Sequence, residues 1–371
     1  MKYVCKICGK TYDESYEGWR CQCGHSLWLD SEVNFHREDI RAYDFSMWRY
    51  DKAYPVHRED VVATFGEGMT PFVPVRWNGS TVYFKNESLM PTGSFKDRGV
   101  AMMINFIKRQ GINKITEDSS GNAGAAVSAY SARAGLECNV FVPESTSQGK
   151  VAQIACFGAH LHKIPGRRDN AAEAAQSVSD GVYAGHNWHP MFVEGVKSIA
   201  YEIWEQNGFE APDNIVCPTG NGSIAAGLFI GFSELLRSGE VTHLPKIYGV
   251  QPENCNTIVR KFNGQPTDYE PKATIAEGIA LYFSSKRDEV ADMIHKTSGG
   301  MVSVTEDEIL KALHEVTKTG YFIEPTSAAT FAGLTKLQDN GTLKADEKTA
   351  VIISGNGLKA TEKILHYLEL V

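Results

Sequence analysis

At 371 residues the chain is too long for one core of ordinary size, so two lobes, or a lobe with an appendage, are expected. Its 42% hydrophobic and 22% charged residues fit a soluble globular chain. A formal net charge of −8 gives no basic footprint for nucleic acid or an acidic membrane surface. No apolar run reaches a membrane span and MKYVCKICGK has no signal-peptide apolar region, so a cytoplasmic location with no membrane and no nucleic-acid partner is expected.

In chain order, residues 1–35 stand apart as a zinc-ribbon-like segment. Cys5 and Cys8 form a CxxC before a glycine, and Cys21 and Cys23 a CxC before a glycine. Knuckles of this kind turn two thiolates to one point, and a pair of knuckles makes the tetrahedral all-thiolate site that suits structural zinc. The second knuckle is one residue short of the usual spacing, and His25 near it reads as a surface histidine or, failing that, a substitute ligand. Cys138, Cys156, Cys217 and Cys255 are scattered, so the cysteines form no disulfide framework and fit a reducing compartment. Residues 34–60 are aromatic and charged without a clear period, and no chemistry is read from them.

From about residue 60 short apolar strands alternate with helical patterns. STVYFKNES reads as a strand, GVAMMINFIKRQG as a helix, KITEDSSG as a strand running into a loop, and NAGAAVSAYSARAG as a helix stopped by glycine. ECNVFVPE and GKVAQIACFG repeat the pair, followed by NIVCPTG, IAAGLFIGFSELLRSG, KIYGVQP, TAVIISGNG and ATEKILHYLEL. Such regular alternation predicts a parallel, doubly wound α/β architecture.

Ligands in such folds sit at the carboxyl ends of strands, so the loops there carry the chemistry. SSGNAG (119–124) enters a helix with small residues whose N–H groups can receive a carboxylate, PTGNGS (218–223) is a phosphate cradle, and SGNGLK (354–359) leaves Ser354 at a strand end. In PTGSFKDRGV (91–100) a turn at Pro91 and Gly93 leads into a helix, with Lys96 at its start, where the helix dipole does not favour a cation. A lysine, a phosphate cradle and partners for a ring nitrogen and a phenolic oxygen are what pyridoxal phosphate requires.

In order and spacing, GEGMTPF (66–72), PTGSFKDRG, SSGNAG, EGVKSIAYEIWE (194–205), EPTSAA (324–329) and ISGNGLK resemble the motif set of threonine synthases. These are fold-type II pyridoxal-phosphate enzymes, alongside serine and threonine dehydratases. SMWRY (46–50) and the N-terminal CxxCG resemble features of the same family, so the likeness spans nearly the whole chain. It implies a catalytic region over 36–371, with a smaller lobe at about 100–188 and a larger one from the remainder, and a homodimer. It also implies that Lys96 holds the cofactor and serves as base at the substrate α-carbon, and that Asn122 bonds the phenolic oxygen. Gly220, Asn221, Gly222 and Ser223 would hold the phosphate, and Ser354 would accept or share a proton with the ring nitrogen. A small amino-acid substrate would meet Ser94, Ser119, Ser120, Ala123 and Gly124. Asp97 and Arg98 read as anchors of the helix start, Glu277 as a neighbour of the ring or a structural residue, and Glu324 as a cofactor-facing residue or a cap.

Two positions depart from the family. Threonine synthases carry a hydroxyl residue where Ala123 stands, and an arginine that grips the phosphate of O-phosphohomoserine where HNWHPMFVEG (186–195) places Phe192. His186, His189 or Arg98 would have to rebuild that anion site. The expected activity is a lyase of threonine-synthase type that abstracts the α-proton, eliminates a leaving group and adds water to give threonine. The alternatives are a serine or threonine ammonia-lyase, favoured by SSGNAG and TIAEGIA (274–280), a β-replacement synthase, and, from another class, a zinc-ribbon binding protein on an inactive scaffold. Intact Lys96, Asn122 and Ser354 speak against the last.

Overall fold

The computed structural model describes residues 1–369 except Glu17, Ser147 and Tyr282, with backbone alone for 148–150. In chain order it forms β1 (Lys2–Val4), β2 (Thr11–Asp13), β3 (Trp28–Asp30), β4 (Phe72–Trp77), β5 (Ser80–Asn86), α1 (Lys96–Arg109), β6 (Lys114–Glu117), α2 (Asn122–Ala134), β7 (Glu137–Pro143), α3 (Gln148–Cys156) and β8 (His160–Ile164). Then follow α4 (Arg168–Gln176), β9 (Val182–Tyr183), α5 (Pro190–Val196), α6 (Ser198–Gln206), β10 (Asn214–Pro218), α7 (Ser223–Arg237), β11 (Lys246–Pro252) and α8 (Thr257–Phe262). The chain closes with α9 (Arg287–Lys296), β12 (Gly300–Val304), α10 (Glu306–Thr317), α11 (Pro325–Asp339), β13 (Thr349–Ile353) and α12 (Thr361–Tyr367). Two compact units result, one of Met1–Gly68 with Lys96–Ser198, the other of Met69–Phe95 with Ile199–Val371.

The first unit holds a small antiparallel sheet, β2-β1-β3, and a four-stranded parallel sheet, β8-β7-β6-β9. The predicted helix in GVAMMINFIKRQG is α1, buried at Val100, Met102, Met103, Ile104 and Ile107. Helices α1 and α5 meet at their glycines: a Cβ on Gly195 would lie 2.1 Å from the Arg98 carbonyl oxygen, and one on Gly99 2.5 Å from the Phe192 ring. The aperiodic stretch 34–60 is core material, with Phe35, Trp48 and Tyr50 buried. It is tied to the GEGM loop where Trp48 Nε1 donates to Glu67 Oε1 at 2.7 Å, and Tyr130 donates to the other carboxylate oxygen at 3.0 Å.

The second unit is built on a six-stranded sheet, β12-β11-β10-β13-β5-β4, parallel but for the edge strand β4. The β4–β5 hairpin turns at Asn78 and Gly79, both with positive φ, as a two-residue turn matched to strand twist requires. One core cluster brings Phe84, Val216, Val250, Phe331, Leu334 and Val351 together from the sheet and from α11. In β5, Lys85 is fully buried but donates to Glu202 at 2.6 Å and to the Thr70 carbonyl at 2.8 Å, so its charge is satisfied. Among the described residues no helix is long and apolar enough to cross a membrane.

Candidate active site

In the first unit Lys96 is the first residue of α1, and its Nζ lies 5.3 Å from the centroid of the buried Phe192 ring. Asp97 and Arg98 are buried behind it, and Arg98 Nη1 donates to Ser198 Oγ at 2.9 Å. The SSGNAG loop joins β6 to α2, with Gly121 at the N-cap position and Asn122 the first helical residue. The opening N–H groups of α2 therefore have no partner within the helix, as an anion-receiving loop requires. Ser119 and Ala123 are buried, while Ser120 and Asn122 are partly exposed. Gly124 is dictated by packing, since a Cβ there would lie 1.9 Å from the Ser119 carbonyl oxygen.

At the start of this loop lies an acidic pair, Glu117 buried and Asp118 partly exposed. Glu117, the last residue of β6, accepts the His186 backbone N–H at 3.2 Å, the Asp118 N–H at 3.1 Å and a contact from His186 Nδ1 at 3.1 Å. Burial pushes the Glu117 carboxyl up to about 7, although these backbone donors, Lys96 and Arg168 pull it down. Asp118 is raised as well, by burial and by Glu117, and accepts the Tyr183 hydroxyl at 2.8 Å. His186 meets the Phe192 ring edge-on at 5.6 Å between centroids. Glu117 carries no signal in the sequence beyond ending a predicted strand.

In the second unit PTGNGS joins β10 to α7. Gly222 adopts φ 84°, and a Cβ on it would press into Val290 at 2.5 Å, so only glycine fits at the start of α7. The Asn221 side chain is held by Ser284 Oγ, which donates at 2.7 Å, and by Ser285 Oγ, which accepts at 3.2 Å. These serines were not singled out from the sequence.

Segment 93–95 is stitched to the end of β13: Phe95 N donates to the Ser354 carbonyl at 3.0 Å and Asn356 N to the Gly93 carbonyl at 2.9 Å. Ser94 is fully buried and its Oγ has no hydrogen-bond partner among the described residues. The Ser354 hydroxyl donates to Glu324 Oε1 at 2.9 Å and lies 3.0 Å from Ser327 Oγ. Glu324 precedes α11 without a side-chain cap bond, so its carboxylate serves Ser354. Glu277 is exposed and paired with Lys363. A glycine-only helix entry in front of N–H groups that lack an intrahelical partner, a buried hydroxyl at Ser94 without a partner among the described residues, and a strand-end serine are a donor set that fits a phosphorylated pyridine cofactor.

In the ribbon, the sulfurs of Cys5, Cys8, Cys21 and Cys23 all lie within 4.8 Å of one another, with Cys5–Cys23 and Cys8–Cys21 at 3.6 Å and Cys21–Cys23 at 3.3 Å. Zinc–sulfur bonds of ~2.3 Å give a tetrahedron with edges of about 3.8 Å, so the short CxC knuckle still closes the set. Burial acts to raise the Cys21 thiol, but hydrogen bonds from Tyr12 and Cys23 outweigh it and bring it down to about 6. His25 is exposed and outside the set, with Nδ1 3.4 Å from Cys23 Sγ.

Residues 63–355 match the family described as pyridoxal-phosphate dependent enzyme. The chain is 33% identical to the threonine synthase of Methanocaldococcus jannaschii over 97% of its own length and 93% of the relative's. It is 35% identical to the threonine synthase of Halalkalibacterium halodurans, covering 85% of this chain and 90% of that one. Among solved structures, the L-serine ammonia-lyase of Rhizomucor miehei superposes with a TM-score of 0.72 at 20% identity, over 81% of this chain and 98% of that one, which shows the fold. The chain belongs to the fold-type II pyridoxal-phosphate dependent enzymes and is a lyase of threonine-synthase type.

Proposed function

We propose that the chain eliminates a hydroxyl or other weakly charged leaving group from a small hydroxy amino acid, and that O-phosphohomoserine is a poor substrate. The observation that carries this reading is Phe192, fully buried, with its ring beside Lys96 Nζ where threonine synthases place an arginine. A phosphate dianion needs several donors or a fixed cation, and loss of a guanidinium fork forgoes about 1.5–3 kcal/mol of charged hydrogen bonding.

In this reading Lys96 and Asn122 hold the cofactor together with Gly220, Asn221, Gly222, Ser223 and Ser354, and pyridoxal phosphate supplies an electron sink for the pair left at the substrate α-carbon. The Lys96 amine takes the α-proton. Ser119, Ser120, Ala123 and Gly124 receive the substrate carboxylate, the last two through N–H groups that open α2, and Ser94 meets the substrate or cofactor with its orphaned hydroxyl. The four ribbon thiolates hold a structural zinc, as their closed tetrahedral spacing supports.

Steady-state kinetics with O-phosphohomoserine, L-threonine and L-serine side by side tests the substrate. Deamination of the hydroxy amino acids should exceed turnover of O-phosphohomoserine. Efficient conversion of O-phosphohomoserine to threonine, with no deamination of the other two, would overturn the reading and leave a plain threonine synthase. Lys96→Ala should lose both turnover and the visible absorption of the bound cofactor, and a variant active at the wild-type rate would remove Lys96 from its role.

A further inference from the structure

We propose that His186 donates the proton taken up by the departing hydroxyl, and that Glu117 is the positioning residue that sets its ring. The proposal rests on the elimination reading above. Glu117 ends β6 on the side where parallel sheets present ligands, and its carboxylate occupies His186 Nδ1 at 3.1 Å. When the Glu117–His186 pair holds one proton beyond the ring's own, Nδ1 either donates to the Glu117 carboxylate or accepts the Glu117 proton, and in both forms Nε2 carries a proton that the ring can give. One aromatic ring, Phe192, packs against both Lys96 Nζ at 5.3 Å and the His186 imidazole at 5.6 Å between centroids, so base and acid are tied to one side chain. The charged and titratable groups acting on Glu117 are Lys96, Arg168, Asp118 and His186, with Tyr183 and Cys138 also in its field. A carboxyl that titrates near neutrality among these groups is suited to sharing a proton with an imidazole.

The step balances as follows. The substrate Cα–H proton passes to the Lys96 amine and its electron pair becomes the Cα–Cβ double bond. The Cβ–O bond breaks with its pair on oxygen, which takes the Nε2 proton of His186 and leaves as water. Solvent then removes the proton from Lys96 and returns one to His186.

The test compares two leaving groups on the holoenzyme. Hydroxide from L-serine needs a proton, whereas chloride from β-chloro-L-alanine does not. His186→Gln and Glu117→Gln should lower kcat on L-serine by about 10²–10⁴-fold, with a loss on β-chloro-L-alanine at least tenfold smaller. Equal losses on both substrates would reduce the pair to a structural clamp and overturn the proposal. In cofactor-free protein, the His186 imidazole pKa followed by NMR should fall by about one unit or more in Glu117→Gln, and an unchanged value overturns the positioning role. A wild type active on β-chloro-L-alanine but not L-serine overturns this proposal alone, whereas one inert on both overturns the elimination reading with it.

Discussion

Ser327 Oγ accepts the amides of Ser354 and Gly355 at 2.9 and 3.2 Å, so its own proton goes to Ser354 Oγ, whose proton in turn goes to Glu324. This chain leaves Ser354 an acceptor, where the sequence allowed it either to accept or to share a proton. Lys96, Asn122 and Ser354 stand out in the sequence because each sits in a short loop of unusual composition. Glu324 stands out through the EPTSAA motif, although its bond to Ser354 does not, and Glu117 does not stand out at all, because such roles come from partners far away in the chain. Glu117 makes a pH prediction of its own. Its folded value of about 7 exceeds the ordinary 4.5, so the folded state holds the proton longer than the unfolded state. The stability it contributes is full below about 4.5 and is lost as pH rises through about 7. Glu117→Gln cannot titrate, so the stability of the wild type minus that of the variant should decline across this window and then level off. Urea denaturation at a series of pH values measures it, and a flat difference would contradict the burial effect.

Between elements, the decisive feature is the close crossing of α1 and α5, which the alternation of strands and helices did not foretell. HNWHPMFVEG was read for its ligands alone, yet its second half is the helix α5 that carries Phe192 to Lys96. The glycines of KDRG and EGVK are recognisable as motif letters, but their reason is contact between two backbones. Periodicity registers a face repeated within one segment and is blind to a single point of approach between segments. The same limit hid residues 34–60, whose buried aromatics follow no helical or strand repeat. Gly195→Ala should therefore be costly, because the added Cβ lies 2.1 Å from a carbonyl oxygen on the α1 backbone and cannot be accommodated by a rotamer change. Overpacking of this kind costs about 1–3 kcal/mol. A lower denaturation midpoint with an unchanged slope is the expected result, and wild-type stability would show that the helices separate freely.

At the scale of the whole chain, the parallel α/β architecture was legible because strand and helix periods alternate over some three hundred residues. The first unit draws on two separate stretches, Met1–Gly68 and Lys96–Ser198, a grouping to which local periods carry no signal. Their union puts the ribbon in the same unit as Lys96. The loop between its knuckles presents Trp19, which stacks edgewise on Tyr183 at 5.2 Å and on Trp188 at 4.8 Å, with the Arg20 guanidinium 4.5 Å from its ring. Tyr183 in turn holds Asp118, next to Glu117. The ribbon is thus keyed onto Tyr183, which holds Asp118 beside the SSGNAG loop, and on the zinc proposal a metal-bound thiolate cluster would hold closed a three-stranded sheet of short strands that is small to stand alone. Protein purified without added metal should contain about one zinc per chain by elemental analysis. Chelation should release Trp19 from its aromatic contacts and shift the tryptophan emission to the red, a change that Trp19→Phe diminishes. Cys8→Ser should lower zinc content and reproduce the emission shift without chelator. Metal-free protein with four freely titrating thiols at Cys5, Cys8, Cys21 and Cys23, and an emission indifferent to chelator, would show that the ribbon holds together by side-chain packing instead.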